Sequence, residues 1–227
     1  MKRLSRSRPE RSAETPDQEA GSDQMVEVVL ATRNRGKIRE IEVFLKNENI
    51  RVLPLNDFPE AAEVDEEGET FRDNALRKAR YAARLTQKLA VADDSGLEVD
   101  ALDGDPGVFS ARFAGEKATD DENNDKLLHA LKDVAPEKRG ASFRCVLALV
   151  EPSGEDTIIE EECRGVILSE KRGHRGFGYD PLFFYPPFNR TFAELTGVEK
   201  NSVSHRGKAL RRLREVLRQM ARDRGSG

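Results

Sequence analysis

The sequence predicts an α/β or α+β fold with a mixed sheet. Strand-length apolar runs alternate with stretches whose apolar residues recur at helical spacing, and two long strand candidates flank a Pro152–Gly154 turn in the manner of a hairpin. The folded part then closes on a helix with a single apolar stripe. Elements of this kind bury their apolar faces by layering helices on a sheet.

Residues 26–31 (VEVVLA) read as a buried strand, and 34–48 (NRGKIREIEVFLKNE) as a helix with Ile38, Ile41, Phe44 and Leu45 on one side. A short strand follows near 50–55. Thr70 and Asp73 resemble a capping box opening a helix through about Leu85, with Phe71, Ala75, Ala79 and Ala82 aligned. Residues 89–96 (LAVADDSG) read as a strand ending in the carboxylate pair Asp93 and Asp94. Thr119 and Glu122 form a second capping box, before a helix carrying Leu127, Leu128 and Leu131. The hairpin strands are 141–152 and 155–168, and the last helix aligns Ala209, Leu210, Leu213, Val216, Leu217 and Met220.

At 227 residues and 37% hydrophobic content the chain suits one folded unit, expected over residues 25–222. Residues 1–24 and 223–227 have almost nothing to bury and are expected to be disordered tails. No run approaches the roughly 20 apolar residues of a membrane span, and the basic N-terminus lacks the apolar segment of a secretory signal, so a cytoplasmic protein is expected. Cys145 and Cys163 lie in strand-like apolar surroundings and read as core residues. A net charge of −4 with 35% charged residues announces no nucleic-acid partner.

Polar signals gather where elements meet. In ATRNRGK (31–37) a strand-to-helix loop ends in Gly36-Lys37; helix-start N–H groups and a lysine form an anion site, although Asn34 capping an ordinary helix explains the stretch equally well. It lacks the first glycine and the hydroxyl of a Walker loop. Two acidic stretches, EVDEEGET (63–70) and ADDSG (92–96), suit a hard cation such as Mg²⁺, which takes one or two carboxylates plus substrate phosphates. Acids before a helix also simply complement its dipole. In GHRGFGYDPLFF (173–184), Phe177 between glycines offers a flat face to a base, or else Phe177 and Tyr179 fill the core at a tight turn. In EKNSVSHRGKAL (199–210), Ser204 is an N-cap that places His205 and Arg206 in the first turn with exposed donors, near Lys200. Positive charge there opposes the helix dipole, and recognition of an anion or carbonyl is the better reason for it.

The ordered motifs LATRNRGK, DEEGETFRDNA, ADDSGLEVDALDGDPGVFSARFAG, GFGYDPLFF and SHRGKAL resemble the inosine triphosphate pyrophosphatase family, from about Val26 to Val216. The resemblance implies an elongated two-lobed α/β fold with a long mixed sheet, an active site in the cleft between lobes, and a homodimer. It implies Mg²⁺-dependent hydrolysis of ITP, dITP and XTP to the monophosphate and pyrophosphate. Thr32, Arg33, Asn34, Arg35, Gly36, Lys37 and Lys200 would then hold the triphosphate, and Asp94 with Asp65 or Glu66 the metal. Asp94 is also the expected general base, supported by Asp93. Phe177 would stack on the purine while Asp180, His205 and Arg206 read its edge, and Ser95, Gly178 and Tyr179 join the substrate-binding set. Family members commonly read Thr-Gly-Asn where this chain has Thr32-Arg33-Asn34, which adds charge to the loop. The alternatives are the related septum-inhibitor-like pyrophosphatases, whose Ser-Pro-Arg-Arg loop is absent, and a nucleotide- or RNA-binding module using the basic tail and the SHRGK patch.

Overall fold

The computed structural model describes residues 25–46, 49–62, 64 and 68–225; the expected N-terminal tail and the acidic residues Asp65 and Glu66 lie outside the described residues. Strand β1 (Val26–Leu30) leads into helix α1 (Arg35–Leu45), β2 (Ile50–Pro54), α2 (Phe71–Thr86) and β3 (Ala90–Val99). Helix α3 (Asp120–Ala130) precedes the long strands β4 (Gly140–Val150) and β5 (Asp156–Ile167), two short strands β6 (Phe183–Tyr185) and β7 (Arg190–Thr191), and helices α4 (Gly197–Val203) and α5 (His205–Gly225). The strands form one open sheet in the order β2-β1-β3-β4-β5-β6-β7. Pairing is parallel for β2, β1 and β3, where helices make the connections, and antiparallel from β3 onward. The expected mixed sheet is therefore present.

The alternating parity of each strand sorts its side chains between two helical layers. Val91 on β3 and Cys145, Leu147 and Leu149 on β4 pack with Ile41 and Leu45 of α1 and Leu210, Leu213 and Leu217 of α5. The intervening Ala90, Ala92, Val146 and Ala148 pack on Ala75, Ala79 and Ala82 of α2, where small residues let helix and sheet approach closely. A third cluster, with Leu127, Leu131, Phe143, Phe183 and Phe192, fills the far end of the sheet.

Local chemistry sets most boundaries as expected. Asn34 Oδ1 caps α1 by accepting the Gly36 and Lys37 N–H groups. Thr119 and Glu122 form the complete capping box, and Gly154, with φ +94°, turns the β4–β5 hairpin. At α2 only half of the expected box forms: Thr70 accepts the Asp73 N–H, while the Asp73 carboxylate takes the Thr70 hydroxyl instead of a backbone donor. Three expectations need correction. Strand β3 does not end at the carboxylates but runs on to Val99, because β4 pairs with it along its whole length. Helix α5 runs three residues past the expected end of the folded unit at 222. Lys200 sits not at the start of the last helix but on the separate α4, opened by a Thr196–Glu199 capping box.

Candidate active site

Strand β1 stops at Leu30, opposite Val91, whereas β3 continues. Asp93 and Asp94 therefore stand just beyond the C-terminal end of the parallel part of the sheet, where open α/β folds place ligands. A cavity of about 300 Å³ opens there, bounded by the β1–α1 loop, α2, the start of α3 and the residues around Phe177.

The two carboxylates do not face each other. Neighbours on a strand point to opposite sides, so Asp93 enters the α1/α5 layer and Asp94 the α2 layer. Asp93 is fully buried, salt-bridged to Lys37 at 2.5 Å through Oδ1 and to Arg206 at 2.8 Å through Oδ2. Ser95 also donates its hydroxyl to Oδ1 at 2.6 Å. Burial acts to raise this carboxyl, but the Arg206 guanidinium and the Lys37 ammonium outweigh it and hold it well below the usual carboxylate range. Asp94 lines the cavity, and Lys78 of α2 donates to its Oδ1 at 2.8 Å and to the Asp93 carbonyl at 3.0 Å. Two lysines and an arginine thus answer the charge of the acidic pair.

From Asp93 a chain of alternating charge crosses to the aromatic end. Arg206 donates to Glu40 of α1 at 2.6 Å, Lys200 reaches the same carboxylate at 3.0 Å, and Lys200 also donates to the buried Asp180 at 2.6 Å. His205 and Arg206 are 4% and 3% exposed, which corrects the expected exposed donors. The positive charge at the α5 N-terminus is tolerated because Asp93 and Glu40 lie against it. Lys200 lines the same cavity as Lys37, with its ammonium 4.9 Å from the Phe177 ring centre.

His205 stacks on Phe143 at 4.7 Å, and its Nδ1 has no hydrogen-bond partner among the described residues. Burial, reinforced by Arg206 and Lys200, pushes its pKa well below the usual 6.5, so the ring is neutral near pH 7. Below about pH 6.5 the unfolded chain binds a proton here that the folded chain does not. The stability from His205 is thus fully present above that pH and is lost as pH falls. The urea midpoint of the wild-type chain should drop more steeply between pH 7 and 5 than that of His205→Gln, and parallel profiles would refute this.

The predicted residues separate on the walls. Thr32, Arg33, Asn34 and Lys37 line the cavity, while Arg35 and Gly36 do not. Arg33 donates to the Ala61 carbonyl at 3.2 Å. Gly36 abuts the Phe177 ring so closely that a Cβ there would lie 2.8 Å from Cδ1. Tyr179 is buried with its hydroxyl donated to the Ser110 carbonyl at 2.8 Å, the core role left open above. Cys145, 3.6 Å from Asp93, and Cys163 are buried thiols pushed up by burial, as core residues should be.

The Ham1 family model matches residues 28–216, which spans the sheet, the cavity and most of the closing helix. The chain belongs to the Ham1 family. It is 53% identical over 195 residues to a dITP/XTP pyrophosphatase of Desulforamulus reducens, covering 86% of this chain and 97% of that one. A dITP/XTP pyrophosphatase of Geobacter sulfurreducens is 53% identical over 193 residues, with 85% and 97% covered. The solved structure of a HAM1 protein from Coxiella burnetii superposes with a TM-score of 0.80 at 45% identity, covering 86% of this chain and all of that one.

Two charged residues of this Ham1 site escaped sequence reasoning. Lys78 and the buried Asn74 stand four apart within the apolar stripe of Phe71, Ala75 and Ala79, a polar pair on a helix's inward face and hence a readable signal. Glu40 left no such trace, because α1 offers several charged positions and its partners lie at positions 200 and 206.

Proposed function

We propose that the chain hydrolyses non-standard purine nucleoside triphosphates, ITP, dITP and XTP, to the monophosphate and pyrophosphate, clearing deaminated purines from the nucleotide pool. The observation that carries the proposal is one cavity whose wall joins a lysine-flanked carboxylate, Asp94, to a half-buried aromatic, Phe177, and to His205 and Arg206. It agrees with the names of the relatives, dITP/XTP pyrophosphatases at 53% identity over nearly their whole length.

In this reading Asp94 accepts a proton from a water that attacks the α-phosphorus in line, while the bond to the β-phosphate oxygen breaks and pyrophosphate leaves. Lys78 orients the carboxylate from α2, and Lys37 with Thr32, Arg33 and Asn34 on the cavity wall meets phosphate charge. Asp93 is the buried support that fixes Lys37 and Arg206. A Mg²⁺ ion fits the donor set, because it needs only one or two protein carboxylates beside substrate phosphates. Asp94 supplies one from the cavity wall, and Val64, also on the wall, directly precedes Asp65 and Glu66 in the chain. When bound, the ion would neutralise charge on the pyrophosphate leaving group.

Base choice follows from donor chemistry. Arg206, kept protonated by Asp93 and Glu40, offers donors that suit the 6-carbonyl of hypoxanthine or xanthine and oppose the 6-amino group of adenine. Phe177 supplies the stacking face and Asp180 the acceptor behind it. Gly36→Ala is expected to displace the Phe177 ring, which a Cβ would meet at 2.8 Å, and to raise KM for ITP several-fold while the helix itself is kept, since alanine suits a helix start; an unaltered KM would show that the contact is irrelevant.

No described helix is long and apolar enough to cross a membrane. A cytoplasmic homodimer formed by the unit from residue 25 to the end of α5 is part of the same proposal, and sedimentation at twice the 25.5 kDa chain mass tests the dimer. The decisive experiment measures pyrophosphate release from ITP, dITP, XTP, GTP and ATP with Mg²⁺. Preference for the first three supports the reading. No release leaves a binding module, and a different base preference leaves the septum-inhibitor-like alternative.

A further inference from the structure

Phe177 stands between two glycines of positive φ, Gly176 at +79° and Gly178 at +60°. Neither neighbour has a side chain with which to anchor the ring, so beyond its contacts with Gly36, Lys200 and Arg206 its position depends on how the peptide groups around it are held. Three of these groups are held by side chains. The Phe177 N–H donates to Asp180 at 3.0 Å, the Gly178 N–H to Asp120 at 2.7 Å, and the Gly178 carbonyl accepts from Asn124 Nδ2 at 2.8 Å. The last two partners belong to α3, whose start bounds the cavity but which supplies none of the reacting groups named above.

Asp120 and Asn124 are four residues apart and so share one side of α3. Asn124 also donates to the Asp120 carbonyl at 2.6 Å, so the two act as one clamp. The Thr119–Glu122 capping box fixes the helix start that carries them, and Leu127 and Leu131 anchor the following turns in the far core cluster. Lys171, on the incoming limb of the loop, salt-bridges to Asp121 and Asp125 of the same helix. Asn124 is buried, and its Oδ1 has no partner among the described residues. An unpaired buried oxygen is costly, and an apolar residue of similar size would avoid that cost; the donors to Gly178 and Asp120 are what the asparagine supplies in return.

We infer that Asp120 and Asn124 are positioning residues for the proposed reaction. They fix the Phe177 ring from α3 while Gly36 bounds it from α1, and they thereby set affinity for the base but not for the triphosphate. This rests on the function proposed above.

The test compares Asp120→Ala, Asp120→Asn and Asn124→Leu in the full chain. Asp120 is exposed, so its loss leaves the core intact. Asp120→Ala and Asn124→Leu should raise KM for ITP about ten-fold with kcat within about two-fold of wild type. Asp120→Asn, which keeps an acceptor oxygen for the Gly178 N–H, should restore KM. Inorganic tripolyphosphate, which has no base, should inhibit all forms with the same Ki. A wild-type KM in Asp120→Ala, or a parallel rise in the tripolyphosphate Ki, overturns the inference. A turnover-free readout separates this from failure of the function itself: the sequence has no tryptophan, so Phe177→Trp gives a single emitter. Acrylamide quenching of that emitter should increase when Asp120→Ala is added, and unchanged quenching overturns the clamp whatever the substrate proves to be.

Discussion

Asp94→Asn is expected to lower kcat for ITP by about 10²- to 10⁴-fold, the contribution typical of a positioned general base. The reason lies in its placement. Asp94 lines the cavity beyond the end of β1, its Oδ1 held by Lys78, and it faces away from the buried pair centred on Asp93. Asparagine keeps the shape and an acceptor for Lys78 but cannot take a proton from water, and it is a poorer ligand for a hard cation. The fold should therefore survive, with Tm little changed. The measurement is steady-state hydrolysis over a Mg²⁺ titration, alongside thermal unfolding. Wild-type turnover by the folded, metal-saturated variant would remove Asp94 from the mechanism.

Arg206→Ala is expected to act first on stability, by about 3–5 kcal/mol, the cost of breaking a buried ion pair and leaving its partner uncompensated. Asp93 is fully buried and would keep Lys37 as its one cation, while Glu40 would lose one of its two cations. The urea midpoint reads this loss directly. Asp93→Asn combined with Arg206→Ala should lose less than the sum of the single changes, because the double variant no longer buries an unpaired carboxylate. A midpoint equal to wild type, with only the ITP-to-ATP efficiency ratio reduced, would show instead that Arg206 is a free base-reading donor. On the geometry, both roles share one side chain, and the ion pairs keep it charged and aimed.

Much of this was legible in the chain because it is local. The apolar periods of α1, α2, α3 and α5, the Asn34 cap, the Thr119–Glu122 box and the Gly154 turn are each written within a few residues of where they act. The Thr196–Glu199 box that opens α4 was equally local and was missed beside the louder SHRGK motif. Strands β6 and β7, of three and two residues, are too short for a period-2 pattern to register. That neighbouring aspartates on a strand face opposite sides also follows from the period alone; reading them as a pair at a strand end obscured it.

By itself, then, the sequence determined the types of the longer elements, the mixed sheet and the family, since periodicity, caps and ordered motifs are short-range properties of the chain. Only the tertiary structure decided what each charge does. Arg206 meets Asp93 across 113 residues and Glu40 across 166, and Lys200 meets Glu40 across 160. A charged residue reads the same in sequence whether it faces solvent or lies buried, and burial decides whether it must be paired. Folding made Arg206 and Lys200 links in a buried chain, left Asp94 on the cavity wall, and brought the α3 carboxylate of Asp120 to the loop that presents Phe177.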